Sequence, residues 1–174
     1  MKRERSSMPH HEIDYCCDEG VTCPVSPEEI VRDVSLVLDQ EGVERPCLIS
    51  VSVVSDERMA ALNERWRGCP QATDVISLEC ERPCDPDLAP GEPCELGDVV
   101  LAPDYVARQA RRYGTAWADE FRLLLVHGTL HLLGYDHLEE DEARAMEARE
   151  DELVRLVLAD ERVAPVRLTR HREG

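Results

Sequence analysis

The run His127-Gly128-Thr129-Leu130-His131-Leu132-Leu133-Gly134-Tyr135-Asp136-His137 constrains this chain more than any other stretch. His127 and His131 are four residues apart, so a helix stacks both imidazoles on one face. Phe121, Leu124, Leu125 and Leu132 recur at helical spacing and support that helix. Gly134 follows where a helix can end in a left-handed residue, and Tyr135-Asp136 brings His137 back toward the same face. Three imidazoles with no fourth Cys or His nearby match a catalytic zinc site, in which water takes the remaining position. A structural site is closed by four protein ligands. The expected cofactor is one Zn2+ per chain, held by His127, His131 and His137.

The spacing H-x-x-x-H-x-x-G-x-x-H is similar to that of the metzincin proteases, which carry Glu after the first His as general base. Gly128 occupies that position and cannot move a proton. The metal scaffold is therefore present without the protease base. Asp136, just before the third ligand, either accepts a hydrogen bond that orients a His ligand or takes a proton from the metal's water; the first role is favoured. Tyr135 either donates to a substrate oxygen or packs under the turn.

A chain of 174 residues is long enough for one domain with a real core. No apolar run approaches a membrane span, and no apolar h-region follows the charged start Met1-Lys2-Arg3-Glu4-Arg5. A cytoplasmic protein is expected. The net charge of −17 argues against loose, non-specific nucleic-acid binding, but leaves room for a local basic groove. All basic residues but Lys2 are Arg, which suits bidentate phosphate contacts. The eight Cys (Cys16, Cys17, Cys23, Cys47, Cys69, Cys80, Cys84 and Cys94) are expected as free thiols, with Cys47 buried. A second metal on Cys69, Cys80, Cys84 and Cys94 is the minor alternative.

Residues 1–25 read as a partly flexible segment, with an edge strand around Ile13 and a solvated His10-His11 pair. Ser26-Pro27-Glu28-Glu29 starts a helix with Ile30, Val34, Val37 and Leu38 inward, stopped at Gly42. Pro46 to Val54 is a strand. Ser55-Asp56-Glu57 opens a helix that puts Met59, Leu62 and Trp66 on one face and runs to Arg67-Gly68. Thr73 to Leu78 is a short strand, residues 79–95 are a Cys- and Pro-rich insertion loop, and Leu96 to Leu101 is a central strand. Pro103 opens a helix through Tyr113, on which Arg108 and Arg112 share a face, as a phosphate ridge or a solvated surface. The metal helix starts near Thr115. A last helix runs to about Ala159 on Ala143, Met146, Leu153 and Val157, before an Arg-rich tail at 161–174. The domain proper spans 26–160. The fold class is α+β: a small mixed β-sheet packed by helices, with a zincin-like central metal-binding helix.

His127 to His137 resembles the H-G-x-L-H-L-x-G-Y-D-H signature of the YbeY family over all eleven positions. Leu96-Gly97-Asp98-Val99-Val100 is similar to the family's L-G-D-I-V strand. Trp66-Arg67-Gly68-Cys69-Pro70-Gln71-Ala72-Thr73-Asp74-Val75-Ile76-Ser77-Leu78 is similar to its Y-R-G-x-D-x-P-T-D-V-L-S-F segment, with Pro70, Ala72 and Leu78 departing from it. The resemblance covers about Ser26 to Leu158. It implies a zinc-dependent, single-strand-specific endoribonuclease that matures the 3′ end of 16S rRNA and acts in late 70S ribosome quality control. It implies Arg67 as a functional residue that meets the RNA backbone, with Thr73 and Ser77 beside it and Asp136 at the metal. Its implied partners are single-stranded RNA, rRNA, small-subunit ribosomal proteins and an assembly GTPase, with no membrane. Two alternatives stand: a ribosome assembly factor whose zinc only holds the fold, and a zinc hydrolase of a peptide or amide substrate.

Overall fold

Ser26 caps the first helix in the computed structural model, which describes residues 11–159. Its hydroxyl accepts from the Glu29 amide at 3.2 Å, and the Glu29 carboxylate accepts from the Ser26 amide at 3.0 Å. Two of the helix's otherwise unpaired N–H groups are thereby satisfied. In chain order the elements are β1 (Glu12–Cys17), α1 (Pro27–Gln40), β2 (Cys47–Val53), α2 (Asp56–Arg67), β3 (Val75–Glu79), β4 (Cys94–Leu101), α3 (Pro103–Tyr113), α4 (Trp117–Leu132) and α5 (Glu140–Ala159). The tails 1–10 and 160–174, with His10 and the Arg-rich end, lie outside the described residues.

The sheet order is β1-β2-β4-β3. β1, β2 and β4 are parallel, and β3 runs antiparallel to β4. The edge strand expected around Ile13 is β1, so residues 12–17 belong to the sheet and the fold begins ahead of Ser26. The alternation in β2 buries Cys47, Ile49, Val51 and Val53 on one face. That face meets Ile30, Val34 and Leu38 of α1 and Phe121, Leu124, Leu125 and Leu132 of α4. On the other face, Ile76 and Val100 pack with Met59 of α2. α5 lays Met146, Leu153, Val154 and Val157 against Leu123, Val126 and Leu130 of α4. The metal helix is thus enclosed by α1, α3, α5, β3 and β4.

Two expectations need correcting. Trp66 is 54 % exposed, whereas Leu62 packs beside Met59 as expected; the fully buried positions of α2 are Met59 and Asn63. Asn63 is turned inward because its Nδ2 donates to the Gln71 carbonyl at 2.8 Å, which ties down the loop after α2. The loop expected at 79–95 is shorter, because Glu79 closes β3 and Cys94 opens β4, fully buried beside Cys47. Among the described residues the Cys form no metal cluster, and all eight are free thiols.

Arg122 of α4, itself buried, donates to Asp33 Oδ2 of α1 at 3.2 Å and lies 3.3 Å from Glu29. Asp33 is 1 % exposed, and Arg122 and Arg32, which bonds its other oxygen at 3.2 Å, together offset its charge there.

Gly97 sits at the irregularity in β4, where the register against β2 shifts between Leu48 and Ile49. Its φ is +133°, and a Cβ there would stand 2.1 Å from the Leu78 carbonyl oxygen. Gly97→Ala is therefore expected to cost at least about 2 kcal/mol, read as a lowered midpoint in urea or thermal unfolding.

Candidate metal centre and active site

α4 carries three functional faces. Gly128 points at the sheet, where a Cβ would meet Val99 Cγ1 at 2.8 Å and Ser77 Oγ at 3.2 Å. Leu123, Val126 and Leu130 point at α5. His127 and His131 lie between these two faces, at the rim of the packed core. The same packing explains the missing protease base. The position after the first His is pressed onto β3 and β4, with no volume for a carboxylate side chain.

The helix ends in a Schellman arrangement. Tyr135 N–H donates to the Leu130 carbonyl at 3.1 Å and Gly134 N–H to the His131 carbonyl at 3.0 Å. Gly134 has φ +104°, a conformation that costs a side-chain-bearing residue dearly. Beyond it, Asp136 Oδ1 accepts from the His137 amide at 2.7 Å and shapes the return of the chain. Tyr135 Oη donates to Glu41 Oε2 at 2.8 Å, and Arg149 of α5 binds the other oxygen of Glu41. The tyrosine hydroxyl is thus used to fasten the turn to α1.

This brings His127, His131 and His137 together. One ligand atom from each lies within 4.8 Å of the others. Ring centroids are 4.7 Å apart for His127 and His131, 4.9 Å for His131 and His137, and 5.7 Å for His127 and His137. Burial, then the neighbouring imidazoles of His127 and His137, pushes the pKa of His131 down to about 4. At neutral pH that ring is neutral, as a metal ligand requires. Among the described residues this is the one group of three or more His, Cys, Asp or Glu able to share an ion.

Glu150 of α5, 3 % exposed, contacts His127 Nδ1. An ionised Glu150 accepts the Nδ1 proton and so leaves Nε2 as the free donor of His127, the arrangement that orients metal-bound imidazoles. Glu150 is a second carboxylate placed to orient a His ligand, beside Asp136, whose Oδ1 accepts from the His137 amide. Glu150 could have been found in the sequence: it falls four residues after Met146 and three before Leu153, an acid on an otherwise apolar stripe.

The remaining candidates are placed more loosely. Ser77 Oγ donates to the Gly128 carbonyl at 3.2 Å, directly under the metal helix. Thr73 is buried, with Oγ1 3.3 Å from Asp74 Oδ1. Arg67 ends α2, exposed, and makes no hydrogen bond or ion pair among the described residues. No such bond joins Arg67 or Thr73 to the imidazoles. Ala72 and Leu78, which depart from the family pattern, pack with Met59 and Ile76, so the strand beneath is filled by other means. Arg108 is paired with Asp56 at 2.7 Å in a surface ion pair, and Arg112 lies over Tyr113.

Replacing Glu150 by Ala is expected to weaken metal binding about 10- to 100-fold, measured by competition with a zinc chelator. Circular dichroism should retain its helical signal.

The family model for Endoribonuclease YbeY matches residues 20–157. An Endoribonuclease YbeY from Thermobifida fusca is 43 % identical over 148 residues, 82 % of this chain and 91 % of that protein. Another, from Acidothermus cellulolyticus, is 45 % identical over 136 residues, 74 % of this chain and 81 % of its own. The solution structure of TM1509 from Thermotoga maritima shares the fold, with a TM-score of 0.58 at 22 % identity, over 86 % of this chain and 91 % of that one. On the strength of the matched model and these relatives, the chain belongs to the Endoribonuclease YbeY family.

Proposed function

We propose that this protein is a zinc-dependent endoribonuclease that hydrolyses single-stranded RNA. The observation that carries the reading is a cluster of three converging imidazoles with no fourth protein ligand among the described residues, in a chain of this family. Zinc held there supplies a Lewis acid and brings the pKa of water toward neutrality. His127, His131 and His137 hold it. Glu150 keeps the Nδ1 proton on His127. Arg67, exposed and without a protein partner among the described residues, binds substrate phosphate, with Thr73 in the loop that follows it and Ser77 on β3. Asp136 acts from the turn beside His137, through its carboxylate charge.

The biological setting we infer is maturation of the 3′ end of 16S rRNA and late 70S quality control in the cytoplasm. Its partners would be small-subunit ribosomal proteins and an assembly GTPase. A net charge of −17 suits contact with basic ribosomal proteins better than tight hold on bulk RNA. Eight free thiols fit a reducing compartment. No helix among the described residues is long and apolar enough to cross a membrane. The peptidase alternative is disfavoured by Gly128, whose position is packed against Val99. The structural-zinc alternative is disfavoured because the cluster offers three ligands where a closed site needs four.

With zinc-loaded protein, the wild type should cut a single strand and spare the duplex of the same sequence, and His131→Ala should lose both metal and cleavage. Chelated wild type should stay folded yet inactive; unfolding on chelation would support the structural reading. Arg67→Ala should keep its zinc and lose at least about tenfold in kcat/KM, measured on the same single strand.

A further inference from the structure

The loop between β3 and β4 is an ordered platform that reaches the metal turn. Cys80 N–H donates to the Leu96 carbonyl at 3.1 Å and Glu81 N–H to the Glu95 carbonyl at 2.7 Å, which carries the hairpin past the strand ends. Arg45, from the α1–β2 connection, donates to the carbonyls of Pro83 at 3.1 Å, Ala89 at 2.7 Å and Glu92 at 2.6 Å. The loop is held at both ends and across its middle.

Arg82 projects from this platform onto Gly134, the residue between the second and third imidazoles. A Cβ on Gly134 would stand 2.7 Å from Arg82 Nη1 and 3.1 Å from Cζ, so the guanidinium lies flat on the turn. One nitrogen, Nη2, donates to Glu79 Oε2 at 3.1 Å. Both side chains of that pair are about half exposed, at 49 % and 47 %, so the pair is weak and easily exchanged. A guanidinium has five donors in a fixed fork, and the others have no protein partner among the described residues. Other arginines near the turn are committed: Arg45 to loop carbonyls, Arg149 to Glu41 and Glu152. Acids flank the turn on both sides, Glu139, Glu140, Asp141 and Glu142 beyond His137 and Glu81, Asp85 and Asp87 on the loop, and Arg82 is the one cation of the 80–93 loop.

We propose that Arg82 is a substrate-binding residue that holds a phosphate of the RNA strand at the metal turn, so that the strand enters from the β3–β4 loop side. This rests on the reading of the chain as a single-strand ribonuclease. Glu79 holds the guanidinium in place in the free protein and yields it to phosphate. Arg67 and Arg82 then grip the strand from two different segments of the chain.

The test uses zinc-loaded wild type, Arg82→Gln and Glu79→Gln. Binding of a fluorescent 2′-O-methyl single strand is followed by anisotropy across a salt series, with kcat and KM measured on the unmodified strand. Arg82→Gln should raise Kd about 5- to 10-fold and flatten the log Kd against log salt slope by about 0.7. KM should rise by a similar factor, with kcat within about twofold of wild type and unchanged zinc content. Glu79→Gln should lower Kd. A merely structural ion pair predicts the same direction for both variants and no change in salt slope; that result overturns the proposal. So does loss of zinc and kcat in Arg82→Gln at constant KM. If the wild type itself neither binds nor cuts RNA, the ribonuclease reading fails and Arg82 with it. If the wild type cuts and Arg82→Gln matches it in Kd and slope, only the assignment of Arg82 fails.

Discussion

The contact between the Glu150 carboxylate and His127 Nδ1 ties the packing of this molecule to its chemistry. A carboxylate 3 % exposed is costly to bury without a partner. It is brought to His127 because Met146, Leu153 and Val157 on either side of it pack α5 against α4. The imidazole in turn has its proton assigned by Glu150, and its other nitrogen is left for a metal. α5 carries none of the three clustered imidazoles, yet it supplies the carboxylate that His127 Nδ1 contacts.

Two glycines do at the backbone level what Glu150 does among side chains. Gly128 lets α4 lie directly on Val99 and Ser77, and so sets the height of the imidazoles above the sheet. The protease-like spacing therefore survives with its general base replaced by a packing contact. Gly134 turns the chain sharply enough for His137 to face His131, and its bare α-carbon gives the Arg82 guanidinium a surface to lie on. The Arg122–Asp33 pair, buried between α4 and α1, fixes the opposite flank of the same helix.

Much of this was legible in the chain, for identifiable reasons. The three imidazoles are close in sequence, so helical periodicity and one glycine were enough to bring them together. The Ser26 capping box and the alternation from Cys47 to Val53 are likewise local signals. Hydrophobicity alone places Trp66 inward, whereas the inward position of α2 goes to Asn63, which has a loop carbonyl to bind. The apolar stripe of the last helix marks Glu150 as an inward acid, but nothing local names its partner 23 residues earlier. Arg82 was illegible for the same reason: its contact with Gly134 crosses from a loop to a turn 52 residues on, and no periodicity encodes it. The edges of the 80–93 loop were set by β-pairing of Glu79 with Gly97 and of Cys94 with Cys47, which are also non-local.

The proposed chemistry stands on a three-imidazole zinc centre with an open position that takes an RNA phosphate. Zinc K-edge X-ray absorption on the purified protein, with and without a single-stranded phosphorothioate RNA, tests it directly. Three imidazole nitrogens and light oxygen scatterers are expected for the protein alone. A sulfur scatterer at about 2.3 Å should then appear on addition of the single strand and not of its duplex. A fourth ligand from the protein, a thiolate or the Glu150 carboxylate, in a spectrum unchanged by RNA would contradict it.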